Sequence, residues 1–338
     1  MTGIIVDSAQ VRRGALFLVN IGVPIIVGVL RHQPDGALIG AVVGMLLTFA
    51  DNDGALLSRL RLLALNGGVI AGGAATGYLC RDLSPALWSV FVAITLSVGV
   101  AASSGREALL TVRNGAIAFT AAADMPTFEV HQIWYLIGPI VLNPALRAID
   151  HMLAGSLPLQ PGTPLQKPRR QREWLRFALA FSGAAVVSMS IGRTLGPRHS
   201  IWIVITTMMV MLPDAKASYR RVLERVSGTF AGVVVARVIT LLFDSTAVTC
   251  IAILLVAPLI PHHHADRYWL HTGLIALVVL LAYDLTVLNS PDINGLLTQR
   301  LEDIVLGCAI GLVGTAVAFP REATAILKDP IGHSRKGR

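Results

Sequence analysis

Charged residues are scarce in this sequence of 338 residues, and their scarcity indicates the solvent in which the chain folds. Only 14% of the residues are charged, 54% are hydrophobic and the mean hydropathy is +0.66, whereas an ordinary soluble domain has about 25% charged residues. Stretches 14–30, 88–102, 201–212 and 270–282 contain no Asp, Glu, Lys or Arg. Several approach the roughly 20 apolar residues that one membrane crossing requires. Most of the chain is therefore predicted to lie in a lipid bilayer.

Other missing features exclude whole classes of chemistry. Cys80, Cys250 and Cys308 lie at or inside apolar segments without metal-like spacing. The run 262–264 is three histidines, but it follows Pro261 without an organised ligand set, so we expect a solvated loop and no metal. No phosphate-binding glycine loop, nucleophile motif or nucleotide site is present. We therefore expect no enzymatic activity, no cofactor and no nucleic-acid partner.

The apolar segments predict an all-α, polytopic membrane protein of about twelve transmembrane helices. No signal-peptide cleavage site follows the first segment, which we therefore expect to stay in the membrane. Segments 36–50 and 199–213 are short for a full crossing. The predicted crossings are 13–31, 36–50, 60–80, 85–102, 108–124, 131–147, 173–194, 199–213, 224–243, 246–260, 268–287 and 301–320.

The positions of the basic residues predict the orientation. If the N-terminus is inside, 22 of the 28 Lys and Arg residues fall in cytoplasmic segments and 5 in external ones, while Arg237 lies inside a crossing. Basic residues concentrate on the cytoplasmic side of membrane proteins. This distribution predicts a multi-pass protein of a bacterial inner membrane with both termini in the cytoplasm.

A Pro-rich and basic linker divides the chain into two similar halves. The predicted division is a first membrane repeat at 1–149, a cytoplasmic linker at 150–172, a second repeat at 173–320 and a cytoplasmic tail at 321–338. Because each half has six predicted crossings, an even number, the two repeats are expected to be parallel. A shift of 160 positions aligns identical residues in five places: Ser58 with Ser218, Arg61 with Arg221, Gly68 with Gly228, Gly72 with Gly232 and Asp124 with Asp284.

The most informative stretch runs from Trp202 to Gly232, where an apolar helix ends, a basic turn follows and a new helix begins with small residues four apart. Its motif residues are Trp202, Thr206, Pro213, Asp214, Arg225, Gly228, Thr229 and Gly232, and the last crossing adds Arg300, Asp303 and Gly307. Together these residues resemble the fusaric acid resistance protein family, which includes aromatic carboxylic acid exporters of bacterial inner membranes. The first half carries a reduced version of the pattern: Asp51, Asp53, Arg61, Gly68 and Gly72.

The resemblance implies a multi-helix efflux transporter for weak aromatic acids, driven by proton entry, with a more distant likeness to plant malate channels. Many family members insert a large soluble domain between their membrane halves, and this chain has only the linker. The resemblance therefore gives little support to a periplasmic adaptor as a partner. Small-residue helix faces permit a homodimer.

The charged residues inside predicted helices are the candidates for a site. A guanidinium can hold a carboxylate in a two-donor fork, so we expect Arg225 and Arg237, with the hydroxyls of Thr206 and Thr207, to bind the substrate. For Arg225, a topology anchor at a helix end is an equal alternative. Two acids, Asp124 and Asp284, each follow an uncharged stretch in corresponding segments of the two halves. One of them, with Asp284 preferred, is expected to carry the coupling proton.

The remaining motif residues favour structural interpretations. Gly228 and Gly232 form a small-residue pair that lets another helix approach closely, and Arg300 with Asp303, three residues apart, can pair on one helix face. The leading hypothesis is a proton-coupled exporter of small weak organic acids between two six-helix halves. The alternatives are a passive organic-anion channel and a non-transporting envelope or assembly protein.

Overall fold

The computed structural model describes residues 8–51, 55–125, 127–155, 171–243, 245–263, 267–287 and 293–328. Within these ranges the chain is helical and has no strand, so the all-α prediction is confirmed. A helix satisfies its own backbone N–H and C=O groups, which is why apolar chains in lipid adopt it. The helices are α1 Ser8–Leu30, α2 Pro34–Ala50, α3 Leu56–Cys80, α4 Ser84–Ser104, α5 Arg106–Ala123, α6 Val130–Ala154, α7 Gln171–Leu195, α8 Pro197–Val210, α9 Ala215–Leu242, α10 Thr246–Val256, α11 Tyr268–Val287, α12 Ile293–Ala318 and α13 Pro320–Lys328, with a 3₁₀ turn at Ala257–His263 after α10.

Seven helices of the described chain are long and apolar enough to cross a membrane: α1, α3, α4, α7, α9, α11 and α12. Three others, α2, α8 and α10, are apolar but shorter. At 14 residues, α8 is about 21 Å long, less than the roughly 30 Å of a hydrocarbon core. The protein is thus a multi-pass, helical membrane protein, and twelve full crossings stay a prediction.

Contacts between helix ends define two sides of the bundle. Arg12, near the start of α1, pairs with Asp150, near the end of α6, at 2.9 Å between Nε and Oδ1. We call this the N-terminal side. At the opposite end, Arg81 follows α3 and donates to the carbonyl oxygen of Met125, which follows α5, at 3.3 Å. We call this the far side.

The helices of residues 8–154 pack in an order that recurs in residues 171–318. In the first set α1 contacts α2, α2 contacts α6, α3 contacts α5 and α6, and α4 contacts α5. In the second set α7 contacts α8, α8 contacts α12, α9 contacts α11 and α12, and α10 contacts α11. Across the two sets, α4 lies against α7 and α5 against α8, while α1 lies against the 3₁₀ turn and α2 against α11. Both large apolar clusters contain helices from both sets, so the sets share one core.

Several predicted boundaries differ from the observed ones. The segment predicted at 131–147 extends to Ala154, and the one predicted from 224 begins at Ala215. The predicted tail continues as α13 before the described chain ends at residue 328. Most of the predicted linker, 156–170, lies outside the described residues, as do the side chains of 262–264.

Candidate functional site

Four arginines of α5 and α9 lie within electrostatic reach of one another on the N-terminal side. The charge of Arg113 interacts with those of Arg106, Arg221 and Arg225, and Arg221 also acts on Arg106. We call these four residues the arginine cluster. Arg113 is 6% exposed and lies about 10 Å into its helix, seven residues after Arg106. A cation at such a place is costly unless it meets an anion or water.

The two innermost arginines have unused hydrogen-bonding capacity. The Nε atoms of Arg113 and Arg225 are buried and donate to no acceptor among the described atoms. Glu224, the acid beside Arg225 in sequence, instead accepts a bond from Arg220 at 2.8 Å. Neither Arg113 nor Arg225 forms an ion pair within the described chain. Within the cluster, Arg113 and Arg225 therefore each have a buried donor that no described acceptor occupies.

Aromatic rings extend from the cluster toward the centre of the bundle. The guanidinium of Arg221 lies 4.7 Å from the ring centroid of Tyr268, and the Tyr268 ring lies 5.9 Å from that of His271. His271 is next to Phe49 of α2, at 5.3 Å, and Phe49 is next to Phe17 of α1, at 5.1 Å. These four residues, Tyr268, His271, Phe49 and Phe17, form an aromatic row that bridges both helix sets. Cationic forks beside ring faces suit a planar organic anion.

The two arginines predicted to bind substrate are not brought together. Arg225 belongs to the arginine cluster, and its charge also reaches Cys308 of α12. Arg237 follows twelve residues later on the same helix, which places it about 18 Å further along. It is half-buried, five residues before α9 ends, and pairs with no acid in the described part of the chain. One carboxylate cannot contact both.

The predicted hydroxyls lie inside α8, where both threonines are buried. Thr207 hydrogen-bonds Ser188 of α7 at 2.7 Å and donates to the carbonyl of Gly307 in α12 at 3.0 Å. Thr206 has no hydrogen-bond partner for its hydroxyl among the described atoms, and it borders Gly307, where a Cβ would overlap α8. Thr207 therefore joins three helices, while Thr206 keeps a free donor.

The two predicted proton carriers have different surroundings. Asp124, directly after α5, accepts a hydrogen bond from Ser200 of α8 and lies 3.4 Å from Nη2 of Arg193 in α7. These contacts join the first helix set to the second on the far side. Asp284 is approached by the Thr249 hydroxyl, at 3.5 Å, within the second set. Asp124 thus links the two helix sets.

A second polar group surrounds Arg300, on the far-side part of α12. Its guanidinium lies between two rings, 4.2 Å from the centroid of Trp202 and 4.4 Å from that of Tyr283. Asp303 lies 3.8 Å from Nη1 of Arg300 and 2.6 Å from Nδ1 of His199. Asp303 and Arg300 are almost fully buried, at 1% and 3% exposure. This far-side group fixes α8, α11 and α12 together.

The turn between α8 and α9 explains other motif residues. Asp214, after Pro213, caps α9 by accepting a bond from the backbone N–H of Ala217 at 2.6 Å. Further along α9, a Cβ on Gly228 would overlap the carbonyl of Trp269, and one on Gly232 would overlap Gly273. Thr229, between them, is buried. These residues set the close approach of α9 and α11.

The expected counterparts in the first half behave differently. Gly68 and Gly72 have open space where a Cβ would lie, and α3 instead approaches α5 at Gly73 and Gly77. The 160-residue shift therefore does not align the packing glycines of α3 with those of α9.

The sequence interpretation missed Arg106 and Arg113, which it assigned to topology alone. Arg113 lies five residues inside the predicted crossing 108–124, the same signal that singled out Arg237. It also missed the ion group of Asp51, Arg59 and Arg147, in which two arginines contact one buried carboxylate at 2.7 and 2.8 Å. Across the described ranges, no three His, Cys, Asp or Glu residues form a group that could hold a metal.

Comparison with known proteins matches only part of the chain. A segment of 119 residues is 30% identical to an uncharacterized protein of Haemophilus influenzae, and covers 35% of this chain and 16% of that protein. A segment of 153 residues is 30% identical to an uncharacterized Synechocystis protein, and covers 44% of this chain and 19% of that protein. The matched segments thus span less than a fifth of either relative. No solved structure matches the chain.

The family model described as fusaric acid resistance protein-like matches residues 180–314, about two fifths of the chain. This range contains the α8–α9 turn, the packing glycines of α9 and the far-side group of α12. The resemblance predicted from the motifs is thereby confirmed at the level of this segment: residues 180–314 are similar to the fusaric acid resistance protein-like family.

Proposed function

We propose that this protein exports small weak organic acids, in their anionic form, across a bacterial inner membrane. The observation that carries the proposal is the arginine cluster, in which Arg113 and Arg225 are without a carboxylate partner in the described chain. A buried, uncompensated cation in a membrane protein marks an ion or substrate path by default. The family match supports a role in membrane transport.

The path runs between two parallel six-helix repeats. This proposal is supported by the recurring order of helix contacts in residues 8–154 and 171–318. Arg113 belongs to the first set and Arg225 to the second, so an anion between them contacts both repeats. An anion at this place offsets the repulsion between the two guanidinium groups and favours approach of the repeats around it.

The site favours an aromatic carboxylate within the class of organic acids. Two guanidinium forks supply donors in the plane of a carboxylate, and the half-buried ring of Tyr268, beside Arg221, supplies an aromatic neighbour. Thr206 adds a hydroxyl on the α8 side. Arg237 lies too far along α9 to share this position. We assign it to a second anion contact, which the substrate reaches later on its way to the far side.

Loading is assigned to the cytoplasm. The N-terminal side carries the start of α1, and the distribution of 22 of the 28 basic residues predicts that this side is cytoplasmic. The arginine cluster then opens toward the compartment from which an exporter takes its substrate. The prediction that both termini are cytoplasmic belongs to this proposal.

Proton entry is the proposed energy source, and the geometry shifts our preference from Asp284 to Asp124. The Asp124 carboxylate attracts Arg193 and accepts a bond from Ser200, both in the second helix set. Protonation removes the charge that attracts Arg193, and so loosens a contact that holds the repeats together on the far side. The proton thus favours opening on that side.

Transport of labelled benzoate into inside-out membrane vesicles tests the anion site. We expect Arg113→Lys and Arg225→Lys to insert normally and to lower the initial rate about 10-fold or more, because an ammonium cannot replace a two-donor fork and a charge-assisted hydrogen bond contributes about 1.5–3 kcal/mol. The matched control is Arg220→Lys, since the Arg220 side chain is 72% exposed. Wild-type rates in both cluster variants would overturn the proposed site.

A further inference from the structure

A groove of about 710 Å³ opens between α1 and α6 on the far side, away from the arginine cluster. This volume is in the range of cavities that bind small molecules. The groove is lined mainly by apolar side chains, together with Arg31, Gln33, His131, Trp134, Tyr135 and Gly138. We call it the α1–α6 groove.

Two prolines and a glycine line the groove. Pro24 and Pro139 lie inside the two helices, where each removes a backbone hydrogen bond. Gly138 adds no side chain, and a Cβ built on it meets no atom within 4 Å. In the corresponding pair, α7 and α12, a Cβ on Gly314 would be in tight contact with Ala184, toward the N-terminal side of α12.

The groove is apolar along its length and polar at one end. Arg31 directly follows α1, is exposed, and forms no ion pair with any described residue. His131, by contrast, lies beside two carboxylates: its Nδ1 is 3.1 Å from Oε2 of Glu129, and its Nε2 is 3.4 Å from Oδ2 of Asp35. Tyr135 donates to Gln33 at 3.1 Å. Among the described residues that line the groove, Arg31 is the one cation without an acid partner, and it lies at the level where α1 ends and α6 begins.

We propose that the α1–α6 groove binds a phospholipid of the far-side leaflet, with one acyl chain along the groove and the phosphate on Arg31. From the membrane core outward, the groove has apolar walls and then the Arg31 cation at a helix end. A phospholipid has the matching order, with its acyl chain in the core and its phosphate at the surface. Trp134, 71% exposed at the rim, occupies the interface level that tryptophan prefers.

Two other occupants fit the groove less well. A second copy of the chain would have to present a side chain to the recess at Gly138 and an anion to Arg31 together, whereas one lipid molecule supplies both. The exported acid is expected at the arginine cluster, on the opposite side of the bundle. The lipid proposal does not depend on the proposed transport function.

Native mass spectrometry of the detergent-purified protein, titrated with phosphatidylglycerol, tests the proposal. We expect Gly138→Trp to fill the groove and remove one tightly bound lipid. The matched control is Gly183→Trp, at an exposed glycine of α7 that also has open space around it. Arg31→Gln should weaken the same binding step about fivefold, the effect of losing one surface cation near a lipid phosphate.

The outcomes separate the candidates. An unchanged number of tightly bound lipids in Gly138→Trp overturns the proposal. So does conversion of a dimer to a monomer by Gly138→Trp without loss of lipid, which would identify the groove as an interface between copies. Thermal denaturation gives a second readout: added phosphatidylglycerol should raise the melting temperature of the wild type and of Gly183→Trp, but not of Gly138→Trp.

Discussion

At the scale of single residues, the buried arginines of this protein are of two kinds: those with a carboxylate partner and those without one in the described chain. Arg59 and Arg147 share the carboxylate of Asp51, and all three side chains are 3% exposed or less. Arg113 is equally inaccessible but has no carboxylate within the described chain. A charge whose partner is internal holds helices together, whereas one without an internal partner is available to a ligand. This difference assigns the first pair to structure and Arg113 to binding.

Removing the shared carboxylate should destabilise the fold strongly. Asp51→Asn removes the carboxylate that two buried guanidinium groups share, and we expect a loss of about 3–5 kcal/mol in the free energy of unfolding. The measurement is thermal denaturation of detergent-solubilised protein, read by size-exclusion chromatography. Asp82→Asn is the control, because Asp82 is 83% exposed and its pair with Arg81 is a surface pair. Equal melting curves for the two variants would contradict the structural role of Asp51.

The sequence could indicate which residues are charged, but it could not indicate their partners. Asp51 and Arg147 are 96 positions apart, and no local pattern joins them. Arg113 was accessible by the rule applied to Arg237, since both lie inside apolar segments. It was overlooked because its position near a predicted helix end also fits a topology determinant. A topology determinant and a ligand-binding arginine can be distinguished only when the residues on the neighbouring helices are known.

At the scale of helices, the sequence predicted which segments are helical better than it predicted where each helix begins and ends. Each of the twelve predicted crossings overlaps one observed helix, yet α6 extends seven residues beyond its predicted end and α9 starts nine before its predicted start. The prediction ended helices at charges, whereas helices of a bundle continue through charges that find partners. Asp150 in the extension of α6 is paired with Arg12. Charge alone is therefore a weak marker of a helix end.

The close approach of α9 and α11 gives a prediction with an internal control. Gly232→Leu forces a side chain into the backbone of Gly273, and we expect it to cost about 1–3 kcal/mol of stability. Gly72→Leu, at the position aligned with it by the 160-residue shift, meets open space and should be tolerated. Yield and melting temperature of both variants in the same detergent give the comparison. Similar losses in the two would mean that helix propensity, not packing, governs these glycines.

At the scale of the whole molecule, orientation is the first property to test. We expect cysteines introduced at Gln166 and Ser334, which lie outside the described residues, to resist an impermeant thiol reagent in intact cells, because both belong to predicted cytoplasmic segments. A cysteine at Asp82, exposed on the far side, should react. The native Cys80, Cys250 and Cys308 are first replaced. The reverse labelling pattern would invert the protein in the membrane, and with it the direction of transport.

Coupling of proton entry to substrate export involves the whole molecule, because we propose that it depends on a contact between the two helix sets. If Asp124 takes up the driving proton, Asp124→Asn fixes the uncharged state and weakens the link to Arg193 permanently. We then expect uphill benzoate export to be lost while exchange of benzoate across the membrane, which needs no net proton movement, persists. The assay is reconstituted liposomes with and without an imposed pH gradient.

Two further variants decide which carboxyl is responsible. Arg193→Gln removes the partner but leaves the proton site, so it should weaken the far-side closure and still respond to the gradient. Asp284→Asn should retain uphill export if Asp124 alone carries the proton, and should lose it if the sequence-based preference for Asp284 was right. Uphill export with an unchanged pH dependence in the Asp124→Asn, Asp284→Asn double variant would exclude both acids. A passive anion channel through the arginine cluster would then be the better explanation of the same buried cations.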